Sequence, residues 1–160
     1  MKPKTIVGVV LLVFAAASLV YLVAAEFSKR GEPADAGGAP AATLPDDAVV
    51  VTYFLTNVRC PTCLKIEAYT KEAVETGFAD ALAGGRIVWR TLNTDEPGNE
   101  HFLDDYQLAF KAVVVSVRRG GREVKWKNLE AIWQEVGEKD EYLAYIRAEV
   151  DAALNEAKGA

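Results

Sequence analysis

Cys60 and Cys63 are the two cysteines of this 160-residue chain, set in the stretch Arg59-Cys60-Pro61-Thr62-Cys63. Two thiols at this spacing can close into a disulfide and reopen, or hold a soft metal ion between them. A purely structural disulfide is the third reading. It is the weakest, because so small a closed loop removes little entropy from the unfolded chain. In either chemical reading the active species is a thiolate, so the surroundings of the sulfurs decide what they do.

The segment before the pair, Ala48 to Leu55, is a near-continuous apolar run rich in Val, Tyr and Phe. It reads as a central strand covered on both faces. After a short exposed connection, Thr56 to Arg59, the spacing predicts a helix from Thr62 to about Leu82. Ile66, Tyr69, Ala73, Val74, Phe78, Ala81 and Leu82 share its inner face, and Gly84-Gly85 ends it. The cysteines therefore stand where a strand hands over to a helix. Unpaired N–H groups and the helix dipole favour negative charge there, and Arg59 adds a cation. The Cys60 pKa is expected to fall below the free value of about 8.5. Pro61 suits the first turn, where its missing N–H is no loss. Cys63, one turn further in, is expected to be less exposed. Cys60 is thus the candidate attacking thiol and Cys63 the resolving one, with Cys60–Cys63 as the redox disulfide.

The remaining elements must hold that junction. Arg86 to Leu92 reads as a second strand, Asn93 to Gly98 as a turn and Asn99 to Phe110 as a helix with Phe102, Leu103 and Tyr106 inward. Ala112 to Val117 is a buried-type strand. Arg119-Gly120-Gly121-Arg122 is a hairpin turn leading to an edge strand with Val124 and Trp126. Asn128 is placed to cap a short helix with Leu129, Ile132 and Trp133. A last helix from about Asp140 carries Tyr142, Leu143, Ile146, Val150 and Leu154. Strands joined through helices are expected to run parallel, with the hairpin adding one antiparallel strand. The predicted class is α/β, a mixed sheet of about four strands with helices on both faces. This is the thioredoxin-like arrangement, in which a Cys-x-x-Cys pair is expected to be redox-active.

The first part of the chain has another character. Residues 6–25 carry no charge. Twenty helical residues span roughly 30 Å, the thickness of a bilayer's hydrocarbon core. We read 1–5 as a cytoplasmic N-terminus, 6–25 as an uncleaved signal anchor, 26–45 as a flexible Pro/Gly/Ala linker and 46–160 as the folded domain. Val23-Ala24-Ala25 would also serve as a small-residue cleavage site, so a cleaved leader is the alternative. Lys2 and Lys4 mark the short flank as cytoplasmic, which puts the domain on the periplasmic or extracellular face, where disulfides persist.

Residues 46–160 hold 14 Lys and Arg against 20 Asp and Glu, and no basic patch with interleaved aromatics, so nucleic acid is not an expected partner. There is no Gly-rich phosphate loop or dinucleotide fingerprint, and no cofactor is expected. Two Cys and one His, His101, fall short of a closed four-ligand zinc site. Cu(I), or an iron–sulfur cluster shared between protomers, remains the alternative use of the sulfurs. His101 reads as a satisfied helix residue. Glu67 shares the cysteines' side of the helix, as a solvated carboxylate or a proton relay. Trp89, Trp126 and Trp133 read as packing residues.

Tyr53-Phe54, Asn57, Arg59-Cys60-Pro61-Thr62-Cys63-Leu64-Lys65-Ile66-Glu67-Ala68-Tyr69, His101-Phe102, Asp105-Tyr106-Gln107-Leu108 and Trp126-Lys127-Asn128-Leu129 with Ile132-Trp133 carry a resemblance. Over about residues 48–155 the chain resembles the thioredoxin-like family of nitrophenyl compound nitroreductase subunits. The resemblance implies a thioredoxin fold, a redox centre at Cys60 and Cys63, and an integral-membrane thiol-electron transporter as partner. Aligned on thioredoxins in general, Ala112 stands where a cis-proline is usual and Phe54 where a buried acid is usual.

Overall fold

The computed structural model describes residues 44–159. The expected N-terminus, signal anchor and most of the linker lie outside the described residues. Among the described residues, no helix is long and apolar enough to cross a membrane.

Strand β1, Ala48–Leu55, is buried along nearly its whole length, as its unbroken apolar run requires. Its alternate side chains feed two cores. Val49, Val51 and Tyr53 enter the larger one, and Phe54 enters a smaller one on the opposite face. Helix α1, Pro61–Gly77, lays Ile66, Thr70, Ala73 and Val74 into the larger core. The continuous helix expected to about Leu82 is interrupted at Phe78, whose φ of −139° is not helical, and a short α2, Ala79–Ala83, follows.

Strand β2, Ile87–Asn93, pairs with β1 in parallel. Helix α3, His101–Asp105, is much shorter than the expected Asn99–Phe110. The chain leaves it through Gln107, at a left-handed φ of 53°, and the Leu108 N–H closes back on the Leu103 carbonyl. Phe102 and Tyr106 point inward as expected, whereas Leu103 is exposed.

Strand β3, Ala112–Arg119, corrects a further expectation: it runs antiparallel to β1, with Ala112 opposite Phe54. A parallel β3 would need a return along the whole sheet. A five-residue helix rises only about 7.5 Å, so β3 starts at the end of the sheet where β2 stops. Strand β4, Arg122–Asn128, completes the order β2-β1-β3-β4. The β3–β4 hairpin turns through Gly120 and Gly121, at φ 56° and 78°, the positive-φ pair that a two-residue loop demands. Asn128 ends β4 opposite Val114 and does not cap a helix; α4, Ile132–Glu135, starts from Ala131. The Leu129 N–H donates to the Val113 carbonyl, so the ladder claims this stretch first.

Helix α5, Lys139–Lys158, packs Tyr142, Leu143, Ile146, Val150, Ala153 and Leu154 against β1, β3 and α1. On the other face, Phe102 and Tyr106 close over Phe54 with ring centroids 5.3 Å from it. The mixed four-stranded sheet with helices on both faces is as expected, though the coverage is lopsided, with α3 alone on one side. The three tryptophans are packing residues: Trp89 and Trp133 against the larger core, Trp126 against the smaller.

Ile146 is fully buried between α1 and the sheet. Ile146→Ala is expected to destabilise the domain by about 2–5 kcal/mol, read as a lowered denaturation midpoint with an unchanged slope.

Candidate functional site

Between β1 and α1 the chain passes through residues 56–59, and this connection is tied down. The Asn57 N–H donates to Asp95 Oδ2 at 2.8 Å, and Asn93 Nδ2 donates to Asn57 Oδ1 at 2.8 Å. The Leu55 carbonyl accepts from both the N–H and the hydroxyl of Thr94. Thus the turn after β2 anchors the loop that presents the cysteines. In the sequence the first segment reads only as an exposed connection and the second only as a turn.

Cys60 is the N-cap of α1, with extended backbone, and its Sγ accepts from the Cys63 N–H at 3.1 Å. Pro61 occupies the first helical turn, as its missing donor favours. Cys60 and Cys63 are joined as a disulfide, their Cα atoms 5.0 Å apart. The two halves are unequal. Cys60 is half-buried, whereas Cys63 is 1% exposed. An incoming thiolate therefore meets Cys60 first.

Below the pair, the Tyr53 hydroxyl donates to the Cys63 carbonyl at 3.0 Å. Burial, with help from the charge of Glu67 and against that of Arg59, pushes the Tyr53 pKa up to about 12. Tyr53 therefore remains a neutral donor at any physiological pH. One turn deeper, the buried Thr70 hydroxyl donates to the Ile66 carbonyl and lies 2.7 Å from the Tyr142 hydroxyl. This links the cysteine helix to α5 through satisfied polar groups. Beside the pair, Arg59 Nη2 donates to Glu67 Oε2.

Glu67, read from sequence as a solvated carboxylate or a relay, is thus a partly shielded partner of Arg59. The residues that sequence reasoning missed are Tyr53, as the polar floor of the site, and Asn57, Asn93 and Asp95, as its clamp. The signal available for Tyr53 and Asn57 was their place among the residues that carry the resemblance. His101 is a satisfied helix residue, with Nδ1 2.7 Å from Asp105 Oδ2. Ala112 opens β3 beside Phe54, and Phe54 packs against Phe102 and Tyr106. Among the described residues, no group of three or more His, Cys, Asp or Glu side chains is placed to hold a metal ion.

A strand-to-helix junction carrying a closed Cys-x-x-Cys pair on a β2-β1-β3-β4 mixed sheet is a thioredoxin-like arrangement. It supports thiol–disulfide exchange: one cysteine partly exposed at the helix cap, the other sheltered one turn away.

No protein-family model matches the chain, and no curated protein matches it. Solved structures do. The chain is similar to thioredoxin f2 of Chlamydomonas reinhardtii, at 15% identity over 69% of this chain and 86% of that one, with a TM-score of 0.40. It is similar to the oxidised thioredoxin from Plasmodium falciparum, at 18% identity over 57% of this chain and 81% of that one, with a TM-score of 0.35. It is also similar to a thioredoxin from Thermus thermophilus, at 19% identity over 57% and 72%, with a TM-score of 0.36.

Tyr53→Phe is expected to lower stability by about 0.5–1.5 kcal/mol through loss of one buried hydrogen bond. The Tyr53 pKa in the folded domain lies above the unfolded value of about 10. Stability linked to its protonation is therefore complete below about pH 10 and is lost as the pH rises towards about 12. Denaturant unfolding from pH 9 to 12 checks this: the alkaline decline of wild type is expected to be shallower in Tyr53→Phe.

Proposed function

We propose that the chain is a membrane-anchored thiol–disulfide oxidoreductase or electron carrier, with Cys60 and Cys63 as its catalytic residues on the periplasmic or extracellular face. The observation that carries the chemistry is the inequality of the pair: Cys60 half-buried at the helix cap, Cys63 enclosed behind it. Support for the anchor is the uncharged block 6–25 with Lys2 and Lys4 before it.

In the reducing direction the Cys60 thiolate attacks one sulfur of a partner disulfide, and the partner's other sulfur leaves as a thiolate. Cys63 then loses its proton and attacks Cys60 Sγ. The mixed disulfide breaks, the second partner sulfur is released, and Cys60–Cys63 closes. Two electrons have passed to the partner, which takes up two protons. Oxidation of a partner dithiol is the same path reversed.

The partner that restores the dithiol is proposed to be an integral-membrane thiol-electron transporter, which a domain tethered through residues 26–45 would reach beside the bilayer. In the context of the nitrophenyl compound nitroreductase resemblance, this chain passes electrons and leaves reduction of a nitro group to a protein that holds a flavin or nicotinamide.

The test is the reduction potential of the Cys60–Cys63 pair in the full chain, equilibrated with glutathione or dithiothreitol. A value near about −270 mV places the chain with reductants, and one near about −120 mV with strong oxidants. A pair that stays open across the range overturns the reading and directs attention to metal content. Cys63→Ser is expected to accumulate a mixed disulfide through Cys60 when offered a disulfide substrate, visible as an added mass. Cys60→Ser is expected to form none and to lose at least about a hundredfold in exchange rate, since the remaining sulfur is shielded.

A further inference from the structure

Arg59 stands directly before the attacking sulfur, yet its guanidinium is bonded to Glu67, one turn beyond Cys63 on the same helix. Their side chains are 35% and 27% exposed, so water screens the pair only in part. Both charges act on the buried Tyr53 hydroxyl under Cys63, so their field extends to the floor of the site. Asp95 accepts from the Asn57 N–H, and Lys65 lies on the exposed side of α1. The first turn of α1 holds no acidic residue.

While the disulfide is closed its sulfurs are neutral, and Glu67 takes the Arg59 charge. Reduction by a dithiol changes this. The partner's two thiols become a disulfide and give up two electrons and two protons. One proton stays on Cys63, the other goes to solvent, and Cys60 is left as a thiolate one residue after Arg59 in the chain. Arg59 then has an anion next to it in sequence as well as its partner Glu67.

We propose that Glu67 competes with the Cys60 thiolate for Arg59 and thereby sets how oxidising the pair is. Glu67 is a positioning residue: it acts on Cys60 through Arg59 and touches no reacting atom. The inference rests on the thiol–disulfide reading above. With Arg59 held by Glu67, the thiolate receives less than the full cation, and the reduced form is stabilised less. A stabilised thiolate makes a pair more oxidising, so freeing Arg59 raises the potential and removing Arg59 lowers it.

The experiment measures two quantities in the full chain: the equilibrium with glutathione and the Cys60 titration, followed by the ultraviolet absorbance of the thiolate. Glu67→Gln keeps the shape of the side chain and removes its charge. A single ion pair still in contact with water adds little to folding; equal thermal unfolding of the variants checks that. Glu67→Gln is expected to lower the Cys60 pKa and shift the equilibrium about tenfold towards the reduced form, about 30 mV. Arg59→Gln is expected to do the reverse. In the Arg59→Gln background, the Glu67→Gln shift is expected to fall below half its size, because the two residues act as one unit. Glu67→Asp, which keeps the charge, is expected to stay near wild type. Unchanged potential and titration in Glu67→Gln overturn the proposal. So does a shift of equal size with and without Arg59, which would make Glu67 a direct neighbouring charge. A wild-type pair that never closes overturns the functional reading, and this inference with it; a pair that cycles normally but ignores Glu67 overturns this inference alone.

Discussion

The central strand β1 is buried on both faces and bonded along both edges, to β2 and to β3. Everything else follows from that double confinement. A strand held on four sides has one place to release the chain, its carboxyl end, and there it passes within five residues into the amino end of α1. The cysteines sit at that handover. Their chemistry draws on unpaired helix N–H groups, but the orientation of those groups is set by β1 and by the packing of Ile66, Ala73 and Val74 beneath α1. Full burial of Ile66 and of Val74 is worth roughly 1.5–3 kcal/mol each, so the position of the reactive group is secured by burial some distance from it.

Polar contacts then refine what burial places. Thr70 and Tyr142 fix α1 against α5 while leaving neither hydroxyl unpaired. Tyr53 fills the space under Cys63 with a neutral donor whose loss of a proton is held off by burial. The clamp from Asn93, Thr94 and Asp95 fastens the loop ahead of Cys60, so the cap sulfur is presented by a constrained backbone. The site thus combines a sheltered sulfur, an accessible one and a cation whose charge is already shared. That combination suits reversible exchange better than permanent cross-linking, because the disulfide adds little to the stability of so small a loop.

The elements that sequence reading placed correctly are those governed by local pattern. The bounds of β1 follow from an apolar run with turn residues after it. The hairpin at Gly120-Gly121 follows from two residues free to adopt positive φ. The readings that failed were those in which a local preference met a long-range competitor. Asn128 has a capping side chain, but pairing with β3 claimed it first. Asn99 to Phe110 has helical spacing, yet only five residues stay helical, because Tyr106 and Leu108 must both reach the core over Phe54. Thr70 was overlooked as a core residue because its polarity hides that its hydroxyl is satisfied by its own helix and by a tyrosine 72 residues away.

By itself the sequence determined that two thiols stand at a strand-to-helix junction, and which of them lies nearer the amino end of the helix. Periodicity, Pro61 and the spacing of three act within a few residues and need no partner from elsewhere. Tertiary structure alone decided the direction of β3, the hydroxyl beneath Cys63, the clamp on Asn57 and the pairing of Arg59 with Glu67. Each depends on which faces of distant segments meet. Arg59 and Glu67 are eight residues apart, and Arg59 lies outside the helix that carries Glu67. Their meeting is set by the extended turn at Cys60, a geometry that the packing of β1 and α1 imposes and that no residue type announces.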